Sequence, residues 1–191
     1  MIGIDALVNI YRRLSCIRRY GTTPCNLPES VSSHMYLVGL ISIMLTAERN
    51  DVDRYRVVGM ALTHDLEESI QGDVVATVKR FQPSVRDALD EAASEFLGVV
   101  TEGLGQGEFL QSLWHEYKEH KTPEAIIAKK SDMIAQIVPM VIEHDLGNKY
   151  AEQIINNIVF ALREADHEDL DEIVKFLMDR KVSLKGHKME W

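Results

Sequence analysis

The sequence predicts an all-α fold, an irregular helical bundle. Apolar residues recur at helical spacing along most of the chain, and strand signals are confined to residues 73–78. The breaks between periodic stretches are turns and loops built around Gly, Pro, Asn and Asp. With 191 residues, 46% of them hydrophobic and 27% charged, the chain is long enough for one well-cored domain and short for two. Residues 1–191 are therefore expected to form a single domain.

The first helix is predicted over residues 4–14, where Ile4, Leu7, Val8, Tyr11 and Leu14 share helical spacing. Arg12, Arg13, Arg18 and Arg19 gather near its end, where cations complement the helix dipole. Gly21, Pro24 and Pro28 punctuate a loop, and Ser30 or Ser32 caps a second helix with the stripe His34, Leu37, Val38, Ile41 and Leu45. Asp53 caps a third helix, expected to run to about residue 70 and to stop at Gly72. Residues 73–79 read as a short extended piece. Further helices are expected at about 84–100, 108–120 and 124–144, the last entered through Pro123, then at 150–165 and 169–181. The tail at 183–191 is expected to be mobile.

Charge and composition exclude several classes of partner. The net charge is −9 and no Lys/Arg run stands out, which argues against a nucleic-acid polymer or an anionic membrane surface. No apolar run approaches the ~20 residues needed to cross a bilayer. Cys16 and Cys25 are the two cysteines, and no signal peptide is apparent, so reduced thiols in a cytoplasmic compartment are expected.

Candidate chemistry centres on residues 57–73. Val57, Ala61, His64 and Glu68 fall on one helical stripe, and Asp65 borders it, so an apolar face turns into ionisable groups. Burying such groups is costly unless they are paired or hold a metal. Two further segments carry related residues. His34 begins the buried stripe of the second helix, and Asp132 shares its face with Ala125, Ala128 and Ala135, small residues that admit a close neighbour. Each has a plainer reading when taken alone: a stripe that reaches the surface, a core histidine, an aspartate paired with Lys129. Together His34, His64, Asp65 and Asp132 offer two nitrogens and two oxygens, a set suited to one divalent ion among Mn, Co, Fe, Ni, Mg or Zn.

The order of a His, a His-Asp pair thirty residues later and an Asp sixty-seven residues beyond that resembles the HD-domain metal-dependent phosphohydrolases. Residues 28–36, Pro-Glu-Ser-Val-Ser-Ser-His-Met-Tyr, and the run His64-Asp65-Leu66-Glu67-Glu68-Ser69-Ile70-Gln71-Gly72-Asp73 are similar to motifs of the 5′-deoxynucleotidase branch, the YfbR-type and HDDC-type proteins. Leu113-Trp114-His115-Glu116-Tyr117 and the helix around Asp132 extend the likeness over about residues 14–146. The resemblance implies that His34, His64, Asp65 and Asp132 hold one divalent cation and that Glu68 is the general acid or base. It implies that Asp73 positions or protonates the substrate near its 5′ oxygen, with a turn cap as the plainer alternative. Arg19 and Tyr20 correspond to an Arg-Trp pair that touches phosphate and sugar. Arg18 is the alternative to Arg19, a solvated basic helix end is the plainer reading of both, and Lys79 is a further phosphate contact.

Two positions depart from the pattern. Tyr20 replaces the Trp, which weakens any inference about deoxyribose over ribose. Ser33 stands where an acidic residue usually precedes the first metal histidine, which removes a partner for that imidazole. His115 and His120 diverge on a helix, and His144-Asp145 reads as the surface of a helix end. The activity expected is a divalent-metal-dependent 5′-nucleotidase acting on small nucleotides, deoxyribonucleoside 5′-monophosphates foremost, in a homo-oligomer. A dNTP triphosphohydrolase and a non-catalytic helical interaction module with a structural metal are the alternatives.

Overall fold

The computed structural model describes residues 2–102 and 106–164. Among them, nine helices follow one another: α1 (Ile2–Cys16), α2 (Val31–Thr46), α3 (Arg54–Ala61), α4 (Glu68–Gln71), α5 (Ala76–Phe81), α6 (Pro83–Thr101), α7 (Gly107–Glu119), α8 (Pro123–Asp145) and α9 (Ala151–Glu164). The all-α class predicted from the sequence is the class observed. The predicted helix at 169–181 and the tail at 183–191 lie outside the described residues.

Local chemistry sets several of the boundaries. The Ser30 hydroxyl accepts from the Ser33 N–H and so caps α2, which settles the choice between Ser30 and Ser32. Asp53 accepts from the backbone of Tyr55 and Arg56 at the start of α3. Thr122 accepts from the Ala125 N–H, and Pro123, which has no N–H to strand, opens α8.

The longest of these helices, α8, lies at the centre and packs against α2, α3, α7 and α9. Val38 and Ile41 of α2, Ile134, Ile137 and Met140 of α8, and Ile155 and Leu162 of α9 form one buried cluster. Each such side chain contributes roughly 1.5–3 kcal/mol by leaving water. A second cluster, with Val57 and Met60 of α3, Leu113 and Tyr117 of α7, and Ala125 and Ala128 of α8, locks α3 against its neighbours. Gly59 permits that approach, because a Cβ there would sit 2.9 Å from Leu113 Cδ1.

Two sequence expectations need correction. The helix predicted to run from Asp53 to about residue 70 ends at Ala61, and a succession of turns over 62–67 separates it from the four-residue α4. Polar side chains draw on the carbonyls at this point: Thr63 Oγ1 donates to Gly59 O at 2.9 Å, and His64 Nδ1 to Ala61 O at 2.9 Å. The extended piece expected at 73–79 is helical from Ala76 onward, within α5. Among the described residues there is no β-ladder for it to join, only the isolated bridge between Arg18 and Ser30, and an unpaired strand leaves its backbone groups unsatisfied.

Candidate metal centre

Packing of α2, α3 and α8 brings three segments to one interior point. His34 comes from the first turns of α2, His64 and Asp65 from the turns after α3, and Asp132 from the middle of α8. His34, His64 and Asp65 present donor atoms that all lie within 4.8 Å of one another. Asp132 Oδ1 stands 2.9 Å from His34 Nε2 and 3.9 Å from His64 Nε2, while His64 Nε2 stands 3.1 Å from Asp65 Oδ2. Both imidazoles are fully buried.

Hydrogen bonding orients these donors. The Nδ1–H of His64 is spent on the Ala61 carbonyl, which turns Nε2 toward the carboxylates, and Nε2 there has no hydrogen-bond partner. Asp132 is held on several sides: Oδ2 accepts from Lys129 Nζ at 2.7 Å and from the Tyr117 hydroxyl at 2.9 Å, and Oδ1 accepts from Gln136 Nε2 at 3.1 Å. The plainer reading of Asp132, a pairing with Lys129, is thus also present. It occupies one carboxylate oxygen and leaves the other facing the histidines.

Charge is concentrated here at low dielectric. Burial raises the Asp65 carboxyl, but His64 and Arg19 outweigh it and hold the group well below the usual carboxylate range. Asp132 is likewise held far down, burial being overcome by Lys129 and the two histidines. Burial lowers His34, whereas in His64 the charge of Asp65 overcomes burial and raises the imidazole. Glu68 moves the other way: burial first, then the charges of Asp65 and Asp73, push its carboxyl up to about 9, and its buried Oε2 has no partner.

Two imidazoles and two carboxylates, with an unpartnered ring nitrogen among them, form an oxygen- and nitrogen-rich donor set that matches a divalent ion. A core packed only for stability leaves few such donors unmatched.

The remaining candidates are distributed unevenly. Arg19 faces the cluster, with Nη1 3.4 Å from Asp65 Oδ2 and Nε 3.4 Å from Glu29 Oε2. Arg18 is exposed and donates to the Pro28 carbonyl at 3.3 Å, so its guanidinium is engaged by the loop. Tyr20 takes a left-handed backbone, φ 58°, a conformation that strains a non-glycine residue by about 1–3 kcal/mol. Its hydroxyl donates to Gln136 O at 3.2 Å. Asp73 is half-buried and acts on Glu68 through its charge. Lys79 is half-buried on α5, and among the described contacts it makes no bond to the cluster. His144 is exposed, with Nδ1 3.8 Å from Asp145 Oδ1, and His115 and His120 build no second cluster among the described residues.

Sequence reasoning gave no individual role to Glu29, Tyr117 or Gln136. Glu29 brings Oε2 to 3.8 Å of His34 Nδ1, beyond hydrogen-bond reach, so a carboxylate of the preceding loop lies near that imidazole without bonding it. Burial, only partly offset by Arg19, lifts Glu29 up to about 7. Tyr117 and Gln136 were missed as partners of Asp132, and Lys129 was weighed only as an alternative to a site. Gln136 was legible from spacing, since a residue four beyond Asp132 shares its helix face. Glu29 and Tyr117 fall within the motif stretches quoted above, but helical spacing does not say what either side chain meets.

A helical bundle that turns two imidazoles and two carboxylates toward one interior point defines a class of helical domains built to hold a divalent metal. Within that class, the chain belongs to the HD domain family, whose model matches residues 12–174. It is 31% identical over 118 residues to the 5′-deoxynucleotidase HDDC2 of Dictyostelium discoideum, a match covering 59% of this chain and 61% of that protein. The match thus spans about three fifths of that relative. Among solved structures, an HD-domain phosphohydrolase from Listeria innocua superposes with a TM-score of 0.73 at 21% identity, covering 93% of this chain and 86% of the other. The cyanophage S-2L HD phosphohydrolase DatZ, bound to dA and one catalytic Zn²⁺ ion, superposes with a TM-score of 0.55 at 18% identity, covering 87% of this chain and 95% of its own. No described helix is long and apolar enough to cross a membrane.

Proposed function

We propose that this protein is a divalent-metal-dependent 5′-nucleotidase, a single catalytic domain over residues 1–191 that releases orthophosphate from small nucleotides, deoxyribonucleoside 5′-monophosphates foremost. The observation that carries the proposal is the convergence of His34, His64 and Asp65, with Asp132 against both histidines, together with a buried Glu68 whose Oε2 has no partner. The name of the Dictyostelium relative and the dA held by the phage protein favour a deoxynucleotide among small phosphate esters.

His34, His64, Asp65 and Asp132 would hold the ion, which when bound supplies Lewis acidity toward a phosphoryl oxygen and toward water. Arg19 offers a planar fork that suits a phosphate, at a position already facing the cluster. Hydrolysis forms one bond from a water oxygen to phosphorus, breaks the bond from phosphorus to the 5′ oxygen, and delivers a proton to that oxygen. Glu68 is the proton-handling group, because its carboxyl is buried and its Oε2 has no other partner. Asp73 helps position the 5′ oxygen or the proton it receives, and Tyr20 borders the sugar. The free thiols of Cys16 and Cys25 accord with a cytoplasmic location. Exposed apolar side chains on α1 (Ile4, Leu7, Val8 and Tyr11) accord with a homo-oligomer.

The test is a screen of nucleoside mono- and triphosphates, ribo and deoxy, against Mn²⁺, Co²⁺, Fe²⁺, Ni²⁺, Mg²⁺ and Zn²⁺, with orthophosphate and triphosphate measured separately. Orthophosphate from deoxyribonucleoside monophosphates is the expected result. Triphosphate release from dNTPs would replace the proposal with a triphosphohydrolase, and metal binding without turnover of any nucleotide would replace it with a structural metal module.

A further inference from the structure

The proposed chemistry uses Glu68 and leaves its neighbour Glu67 without a role, although Glu67 is the more deeply buried of the two, at 2% exposure. Both of its carboxylate oxygens are taken. Oε2 accepts from the indole N–H of Trp114 at 2.8 Å, and Oε1 accepts from Lys118 Nζ at 2.6 Å. Trp114 and Lys118 lie one turn apart on α7, so a single carboxylate reaches both, and the ammonium also sits 5.0 Å from the Trp114 ring centroid.

This arrangement matters because of what Glu67 precedes. Glu67 is the N-cap residue of α4, and its carbonyl accepts from the Ile70 and Gln71 N–H groups. Four residues are far fewer than the ~12–15 an isolated helix needs, so α4 depends on outside contacts for its position. On its other side, Arg13 Nη1 of α1 donates to the Ser69 carbonyl at 3.1 Å. Glu68 lies between these two anchors. Its Oε2 has no hydrogen bond to aim it, so where α4 lies bears directly on where that carboxyl sits.

We infer that Glu67 is a positioning residue: by tying the start of α4 to Trp114 and Lys118 of α7, it aims Glu68 at the metal centre. A buried ion pair is a weak source of stability, and replacing both partners by apolar residues of similar size is often neutral or favourable. What the pair fixes here is a direction. The inference rests on the proposed 5′-nucleotidase reading, and the experiment separates the two.

Two variants are compared with the wild type, Glu67→Gln and the apolar double substitution Glu67→Met with Lys118→Met. Each is measured for kcat and KM on a deoxyribonucleoside monophosphate with Mn²⁺, for Tm, and for amide hydrogen exchange over residues 68–72. The expected result is a fall in kcat of about ten- to a hundredfold, the penalty for a misplaced group, with KM within about twofold and faster exchange confined to α4. The double variant is expected to lose some Tm, because the buried Trp114 N–H is left without an acceptor. Given an active wild type, unchanged kcat in a folded variant, an equal loss appearing in KM, or unaltered exchange over 68–72 overturns the inference. Should the double variant fail to fold, Glu67→Gln decides alone. If the wild type turns over no nucleotide, the 5′-nucleotidase reading falls, and the exchange measurement then decides by itself whether Glu67 holds α4.

Discussion

Asp132 Oδ1 stands 2.9 Å from His34 Nε2, although ninety-eight residues separate the two in the chain. The contact joins the middle of α8 to the start of α2 and closes the donor set around His64 and Asp65. Asp132→Ala is expected to weaken Mn²⁺ binding by more than the roughly 10–100-fold that loss of an outer partner produces. Titration calorimetry measures this directly. In the wild type, Mn²⁺ at about a hundred times Kd stabilises the fold by about 2.7 kcal/mol, and this metal-dependent rise in Tm is expected to vanish in the variant.

Replacing the proton-handling group tests a different property. Glu68→Gln keeps the shape of the side chain and leaves the four donors untouched, so metal stoichiometry is expected to stay the same. Turnover is expected to fall by about 10²–10⁴, the range general acid–base groups supply. Equal metal content with unchanged kcat would remove Glu68 from the chemistry.

Arg19 and Arg18 are adjacent in sequence but turn to different surroundings, the first to Asp65 and Glu29 and the second to the Pro28 carbonyl. Arg19→Ala is therefore expected to raise KM for a nucleoside monophosphate roughly tenfold or more, given about 1.5–3 kcal/mol for hydrogen bonds to a charged group. Arg18→Ala is expected to leave KM within about twofold. Steady-state kinetics on the two variants in parallel distinguishes a phosphate contact from a generally basic surface.

A stability prediction follows from Glu143, which is buried at the end of α8 and gathers the preceding loops. Its carboxylate accepts from the backbone N–H groups of Asn26 and Leu27 and from the side chains of Asn26 and Asn148. Burial alone would raise this carboxyl, but those donors hold it below its usual value in the folded state. A group lowered on folding stabilises the protein above its unfolded pKa of about 4.3, and that contribution is lost as pH falls through the folded pKa. Glu143→Ala is expected to cost about 1.5 kcal/mol at pH 7, the low end for hydrogen bonds to a charged group, because the freed donors of Asn26 and Leu27 are open to water, and the deficit relative to wild type should shrink below about pH 4. Urea denaturation at the two pH values checks both the size and the sign.

Much of this fold is legible in the sequence. Helical periodicity located α2, α6, α7, α8 and α9 to within a few residues, because each buries a continuous apolar face. The end of α3 was not legible, since the residues that follow keep the same period while Thr63 and His64 draw on the backbone carbonyls. Residues 73–79 misled for a related reason: a Val-rich run favours a strand only where a neighbouring strand exists to pair with it.

Residue types and spacing alone determined the helical class and nominated His34, His64, Asp65, Asp132 and Glu68, because buried ionisable groups on apolar faces demand partners. Only the tertiary structure decided how those partners are arranged. Tyr117 against Asp132, and Glu67 between Trp114 and Lys118, are contacts across separate segments. Periodicity reports which side of a helix faces inward; what it meets there is set by the packing of one helix on another.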